Sequence, residues 1–184
     1  MVWEVNQRAG HPIVSGTHAD IGICEGGQVD RYTAVEWCRT LIRSGFVQET
    51  VAQAPDQLGH LLGHRLLDGW TQHWVTSPQQ EWEVLRLETL QGLAEAELQR
   101  GNAHKALVLA DGAIRSDPLR EGAWYTLLRA LRATRNQATA RQRFTELVAR
   151  MEEDLGIRPM FTWDDLDFHA NSVLGSTIGM SRAR

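Results

Sequence analysis

Tyr125, Arg129 and Arg132 are the residues of this sequence whose types and spacing offer the most usable chemistry. Separations of four and seven residues put a ring and two guanidinium groups on one side of a helix. A π face beside two fixed cations suits an acidic peptide, or the acidic side of a partner helix. No comparable set exists for bond-making chemistry. The chain has no Gly-x-Ser-x-Gly, no phosphate loop and no Gly-x-Gly-x-x-Gly, and Gly26-Gly27 is too short to cradle a phosphate. His60 and His64 are four apart, a spacing that metal ligands on a helix use. Gly63 between them ends that helix, however, and no carboxylate follows at a recognised distance, so they read as surface histidines. His11, His18, His73, His104 and His169 show no spacing logic. These observations predict no catalytic residues, no metal site and no cofactor.

The element that positions Tyr125 belongs to a repeat. At an offset of 34 residues Leu90 falls on Trp124, Leu93 on Leu127, Ala94 on Leu128, Ala106 on Ala140, Ala110 on Phe144 and Ala113 on Leu147. That period, with apolar residues at those offsets, predicts two tetratricopeptide-type helix hairpins. Helix A of each unit supplies large residues, and helix B a small one, Ala106 or Ala140, so that the backbones approach closely. On such a helix A the second, fifth, ninth and twelfth positions look into the concave groove: Glu88, Gln91, Glu95 and Leu98, then Gly122, Tyr125, Arg129 and Arg132. The groove is read either as a partner site or as a surface that is solvated or covered from within the chain.

Taken in order, residues 2–5, 12–14 and 21–24 read as short strands separated by turn residues, a β appendage too small to bury a core alone. Asp30 caps a helix over 31–43 with Tyr32, Val35, Trp37, Cys38, Leu41 and Ile42 as its apolar stripe, ended by Ser44-Gly45. Pro55 opens a second helix that stops near Gly63. Residues 66–75 form a connector whose Trp70 and Trp74 either anchor a partner or fill the gap before the repeats. Ser77-Pro78-Gln79-Gln80 predicts a helix start with Pro at its first position, and that helix runs to Arg100. Gly101-Asn102 breaks it. Helix B of the first unit covers 103–116. Asp117 and Pro118 begin the next helix, which reaches Ala133, and Asn136 is the candidate for the left-handed turn position. Residues 139–155 complete the second hairpin, and Thr162-Trp163-Asp164-Asp165 starts a short terminal helix. The Gly-, Ser- and Arg-rich end reads as a frayed tail.

Composition is that of a globular chain: 184 residues, 42% hydrophobic and 23% charged. No apolar run is long enough to span a membrane, and residues 1–5 do not resemble a signal peptide. Cys24 and Cys38 form no Cys-x-x-Cys pair, and a reduced cytoplasmic protein is the simpler reading, with a disulfide left open. The net charge of −4 is unevenly spread. Between Arg100 and Arg150 lie ten Lys and Arg against four Asp and Glu. This basic segment beside acidic flanks suggests an acidic partner or self-association; a solvated arginine-rich helix surface would look the same.

Further motifs point to a family. Leu66-Leu67-Asp68-Gly69-Trp70, Trp82-Glu83-Val84-Leu85-Arg86-Leu87 and Gly101-x-x-x-x-Ala106 occur in that order. Asp117-Pro118-Leu119-Arg120-Glu121-Gly122-Ala123-Trp124, Ala140-x-x-x-Phe144 and Leu155-Gly156-Ile157-Arg158-Pro159 follow. The set resembles the bacterial transcriptional activator domain, the tetratricopeptide-like domain of SARP-type antibiotic-regulatory activators. The resemblance covers roughly residues 28–167, and Val29-Asp30-x-Tyr32 looks like the family's start of its first helix.

The resemblance implies a non-catalytic regulatory module that contacts the transcription machinery or itself, with a homodimer expected. It places Arg120, Tyr125, Arg129 and Arg132 on the surface available for contacts, and the groove pattern adds Gln91 and Glu95. In the family a winged-helix DNA-binding domain comes first; here the residues before Asp30 read as strands, a remnant of its wing or of the linker hairpin. DNA contact is therefore expected only through a winged-helix domain absent from this chain. The expected organisation is a β-rich appendage over 1–28, an all-α tetratricopeptide-like domain over 29–172 and a flexible tail over 173–184. A generic tetratricopeptide-type peptide-binding scaffold unrelated to transcription is the alternative.

Overall fold

The computed structural model describes residues 14–16, 21–23 and 30–166. It divides into two compact units, residues 1–36 and 37–184. In the first, β1 (Val14–Gly16) and β2 (Ile21–Ile23) pair antiparallel, with Val14 opposite Ile23 and Gly16 opposite Ile21. The strand expected over residues 2–5 and the tail over 173–184 lie outside the described residues. Helix α1 (Asp30–Arg43) begins in this unit, where Ala34 and Val35 are buried. Tyr32, expected in the apolar stripe, is exposed, with the Arg31 guanidinium 5.7 Å from its ring centroid.

Among its described residues the second unit is all-α. After α1 come α2 (Gln48–Gln53), α3 (Asp56–Leu62), α4 (His73–Gln99), α5 (Ala103–Ser116), α6 (Glu121–Ala133) and α7 (Gln137–Leu155), then a 3-10 turn, Asp164–Leu166. Helices α4 to α7 pack in sequence, and α6 also touches α4, the arrangement of two stacked hairpins. Most of the positions matched by the repeat form the core, while Leu93 and Phe144 are half-buried. Ala94, Ala106, Ala110, Ala113, Trp124, Leu128, Ala140 and Leu147 are all fully buried. Leu98, expected to look into the groove, instead packs with Ala103, Ala106 and Ala130 where the first hairpin turns.

The two hairpin turns share one backbone geometry. Gly101 (φ 84°) and Arg135 (φ 59°) both adopt the left-handed conformation, so Arg135 and not Asn136 takes that position. Asn136 has φ −91° and ψ 62°, against −83° and 56° for Asn102. In each turn the asparagine N–H reaches back five residues, to the carbonyl of Glu97 or Leu131, both at 2.9 Å. The preceding N–H reaches back three residues, completing a Schellman motif.

Three helix starts differ from expectation. Helix α4 begins at His73, so Pro78 lies inside it. The carbonyl that Pro78 leaves without an intrahelical donor belongs to Trp74, an exposed residue that water can reach. Helix α6 begins at Glu121 rather than Pro118, because Asp117 folds the preceding residues into a turn. Its Oδ1 accepts the Leu119 N–H (3.2 Å) and its carbonyl accepts the Arg120 N–H (3.2 Å). Helix α7 begins at Gln137, ahead of Thr139. Helix α2 lies between the first two expected helices, where no element is expected; it buries no residue, so it has no apolar stripe to see.

The loop–α3 region is held to α4 by polar contacts. The Trp82 indole N–H donates to the His64 carbonyl (3.1 Å), and the Gln79 amide donates to the carbonyls of Leu67 (3.0 Å) and Trp70 (3.4 Å). Trp70 and Trp74 meet edge to face, 5.9 Å apart, and are 50% and 62% exposed, so they do not fill the gap before the repeats. Trp37 is only half-buried.

Candidate functional site

Helix α6 presents the predicted face because Gly122, Tyr125, Arg129 and Arg132 lie opposite the buried stripe of Ala123, Trp124, Leu127, Leu128 and Leu131. Trp124 is locked in place, fully buried, with its indole N–H on the Pro118 carbonyl at 2.8 Å and the Arg143 guanidinium 5.4 Å from its ring. With that anchor fixed, the opposite face of α6 has a defined orientation.

The six predicted residues separate into two neighbouring clusters. In the first, Arg120 Nε donates to Gln91 Oε1 (2.8 Å), and Gln91 Nε2 donates to Glu95 Oε1 (3.1 Å). The Gln91 amide lies against Gly122, where a Cβ would come within 2.3 Å of it. In the second, the Arg129 guanidinium stands 5.4 Å from the Tyr125 ring centroid, and Arg132 lies farther along the same helix.

The second cluster is covered from within the chain. Helix α7 stops at Gly156, which takes the left-handed conformation (φ 68°), and the residues that follow return across α6 and α7. The Tyr125 hydroxyl donates to the Asp165 carbonyl (3.1 Å), and Arg132 Nη1 donates to the Trp163 carbonyl (3.2 Å). Phe161 sits 5.1 Å from the Tyr125 ring and 6.0 Å from that of Phe144. Trp163 meets Phe144 at 5.8 Å and takes guanidinium groups from Arg132 (5.1 Å) and Arg141 (4.1 Å). Leu166 is fully buried. Of the two readings of the groove, partner site or internally covered surface, the covered state is the one present here.

The returning segment has its own local order. Thr162 donates through both its N–H and its hydroxyl to Asp165 Oδ2, each at 2.7 Å, and these bonds hold the Asp165 carboxyl below the usual aspartate range. Asp165 thus accepts the Thr162 N–H as the acidic half of a capping box does, and residues 164–166 of the expected terminal helix form a 3-10 turn. Reasoning from spacing missed Arg141, Phe144, Phe161 and Trp163 as groove residues. The paired aromatics of Phe161-Thr162-Trp163 were a signal for them.

The chemistry available is recognition: aromatic edges, guanidinium faces and carbonyl-directed donors. His60 and His64 are exposed at the end of α3 with rings 4.7 Å apart, and no group of three or more His, Cys, Asp or Glu converges among the described residues. No described helix is long and apolar enough to cross a membrane.

No curated protein and no solved structure matches this chain. The model of one family does match, across residues 31–166 and so across the four packed helices and the returning segment alike: this chain belongs to the bacterial transcriptional activator domain family.

Proposed function

We propose that the chain is a non-catalytic regulatory module of a bacterial transcriptional activator, working in the cytoplasm through protein–protein contacts and self-association. The observation that carries this reading is the family match over residues 31–166, which includes every helix and side chain of the groove. The groove's chemistry supports it: Tyr125, Arg129, Arg132 and Arg141 offer cations and π faces to an acidic, aromatic segment. The partner is the transcription machinery or a second copy of the chain. Arg120, Gln91 and Glu95 form the polar rim of the same surface. In this reading residues 29–172 make the protein contacts. Residues 1–28, of which β1 and β2 are the described part, are an appendage at the junction with a winged-helix domain that reads DNA.

Fusing the chain to an unrelated DNA-binding domain and measuring transcription from a reporter tests this. Activation above the DNA-binding domain alone, lost in Arg129→Glu/Arg132→Glu, is the expected result. A folded fusion that leaves the reporter flat would overturn the regulatory reading and favour the generic peptide-binding scaffold.

A further inference from the structure

The groove on α6 and α7 holds an aromatic segment, which here comes from residues 157–166 of the same chain. We propose that this segment is an exchangeable strap, and that in a homodimer each groove is filled by the strap of the second copy. The inference rests on the self-association part of the proposed function and names its partner and geometry.

Contacts inside the groove do not depend on which chain supplies the strap. Phe161 between Tyr125 and Phe144, Trp163 against Arg132 and Arg141, and the two hydrogen bonds to strap carbonyls would be the same in trans. Exchange therefore leaves the closed interface unchanged, and the balance between monomer and dimer is decided at the hinge.

That hinge has the properties exchange requires. Gly156 ends α7 in the left-handed conformation, and Pro159 biases Arg158 toward extended backbone, which favours a segment that leaves its own domain. Leu155, Ile157 and Met160 are 51%, 52% and 93% exposed. Three large apolar side chains within six residues gain nothing from solvent. In an exchanged dimer the two hinges run past one another and bury them, the new contact that offsets the lost freedom of association. The hinge is tethered by the Ile157 N–H to the Met151 carbonyl (3.4 Å) and by two exposed bonds, Arg158 to Glu152 (3.0 Å) and the Met160 N–H to Glu121 (2.6 Å). Charge agrees, since the strap carries Asp164 and Asp165 and the groove carries Arg129, Arg132 and Arg141.

The test is complementation between full-length chains, read by size exclusion with light scattering over a concentration series. Phe161→Ala/Trp163→Ala keeps the groove and spoils the strap; Tyr125→Ala/Arg132→Glu keeps the strap and spoils the groove. Wild type is expected to dimerise, and each variant alone to dimerise at least roughly tenfold more weakly. An equimolar mixture recovers a heterodimer, because one intact groove meets one intact strap. A third variant, with Gly-Ser-Gly-Ser inserted after Ile157, keeps both surfaces and relaxes the hinge, so it shifts toward monomer without loss of thermal stability. That variant carries the test if either double variant fails to fold. A dimer undiminished in both the strap-spoiled and inserted chains overturns exchange while leaving self-association standing. A wild-type monomer throughout, with no heterodimer in the mixture, overturns both, and then the strap belongs to its own groove alone.

Discussion

Arg86 reaches from α4 to the end of α3, where its Nη1 donates to the Leu62 carbonyl at 2.9 Å. The guanidinium is 3% exposed. It also forms a fork with Glu83 (2.9 and 2.8 Å) and a bond to the Ser116 hydroxyl at the end of α5. Helix α3 ends with carbonyls that have no intrahelical donor, and one cation satisfies one of them while tying three helices together. With the Trp82 bond to His64, this makes the Trp82–Arg86 turn of α4 the clamp that joins the loop–α3 region to the repeats.

Replacing Arg86 with Met should therefore destabilise the domain by about 3 kcal/mol, since it leaves the Leu62 carbonyl without its donor and the Glu83 carboxylate with only the more distant Arg65 guanidinium, at 3.8 Å. Arg86→Lys should recover only part of the loss, because an ammonium cannot make the fork. Urea unfolding with unchanged m-values is the measurement. A Met variant as stable as wild type would show that the clamp is not a stabilising element.

A second contact fixes the end of α1 against α4. The Phe46 ring lies on Gly92, so close that a Cβ there would be 2.1 Å from the ring. Ordinarily Ala stabilises a helix interior over Gly by about 1 kcal/mol. Here Gly92→Ala should instead cost roughly 1–3 kcal/mol through overpacking. In a Phe46→Ala background the same substitution should stabilise. A double-mutant cycle by thermal or urea unfolding reads the reversal, and a substitution with the same sign in both backgrounds would remove the steric account.

Most of the helical frame was legible because its signals are local. The offset between Ala106 and Ala140 reports a close helix crossing inside each hairpin, and the same 34-residue offset relates the turn residues Gly101 and Arg135. Preferring Asn136 there followed residue propensity, whereas the Schellman bonds demand the left-handed residue one position earlier. The strap was not legible in that way. Tyr125 and Asp165 are 40 residues apart and share no period, so nothing in the spacing of α6 says what covers it. Trp70 and Trp74 were ambiguous for the same reason: a connector has no periodic face from which burial can be read.

The shared turn geometry makes its own prediction. Arg135 pays for a left-handed backbone that Gly101 adopts freely. Arg135→Gly should stabilise the domain by about 1 kcal/mol, less the greater entropy of glycine in the unfolded chain. Gly101→Ala should cost a similar amount, about 1 kcal/mol, from backbone strain alone, since no atom lies within 4 Å of where its Cβ would be. Melting temperatures of the two variants should move in opposite directions. Equal shifts of the same sign would mean that the two turns are not equivalent.

Glu97, 3% exposed at the end of α4, gives the domain a dependence on pH. Burial acts to raise its pKa, but Lys105 (2.8 Å), Asn102 (2.8 Å) and Arg100 together outweigh that and hold it below the ordinary glutamate value. A carboxyl whose folded-state pKa is depressed contributes stability above its unfolded pKa, near 4.3, and loses it as pH falls through the lower folded-state value. Acidification from neutral pH should therefore weaken the wild type more steeply than Glu97→Gln, while at pH 7 the variant should be the less stable of the two. Chemical unfolding at a series of pH values measures both slopes. Parallel curves would place the acid sensitivity elsewhere and leave Glu97 as a hydrogen-bond acceptor only, the partner of the Asn102 amide at the first hairpin turn.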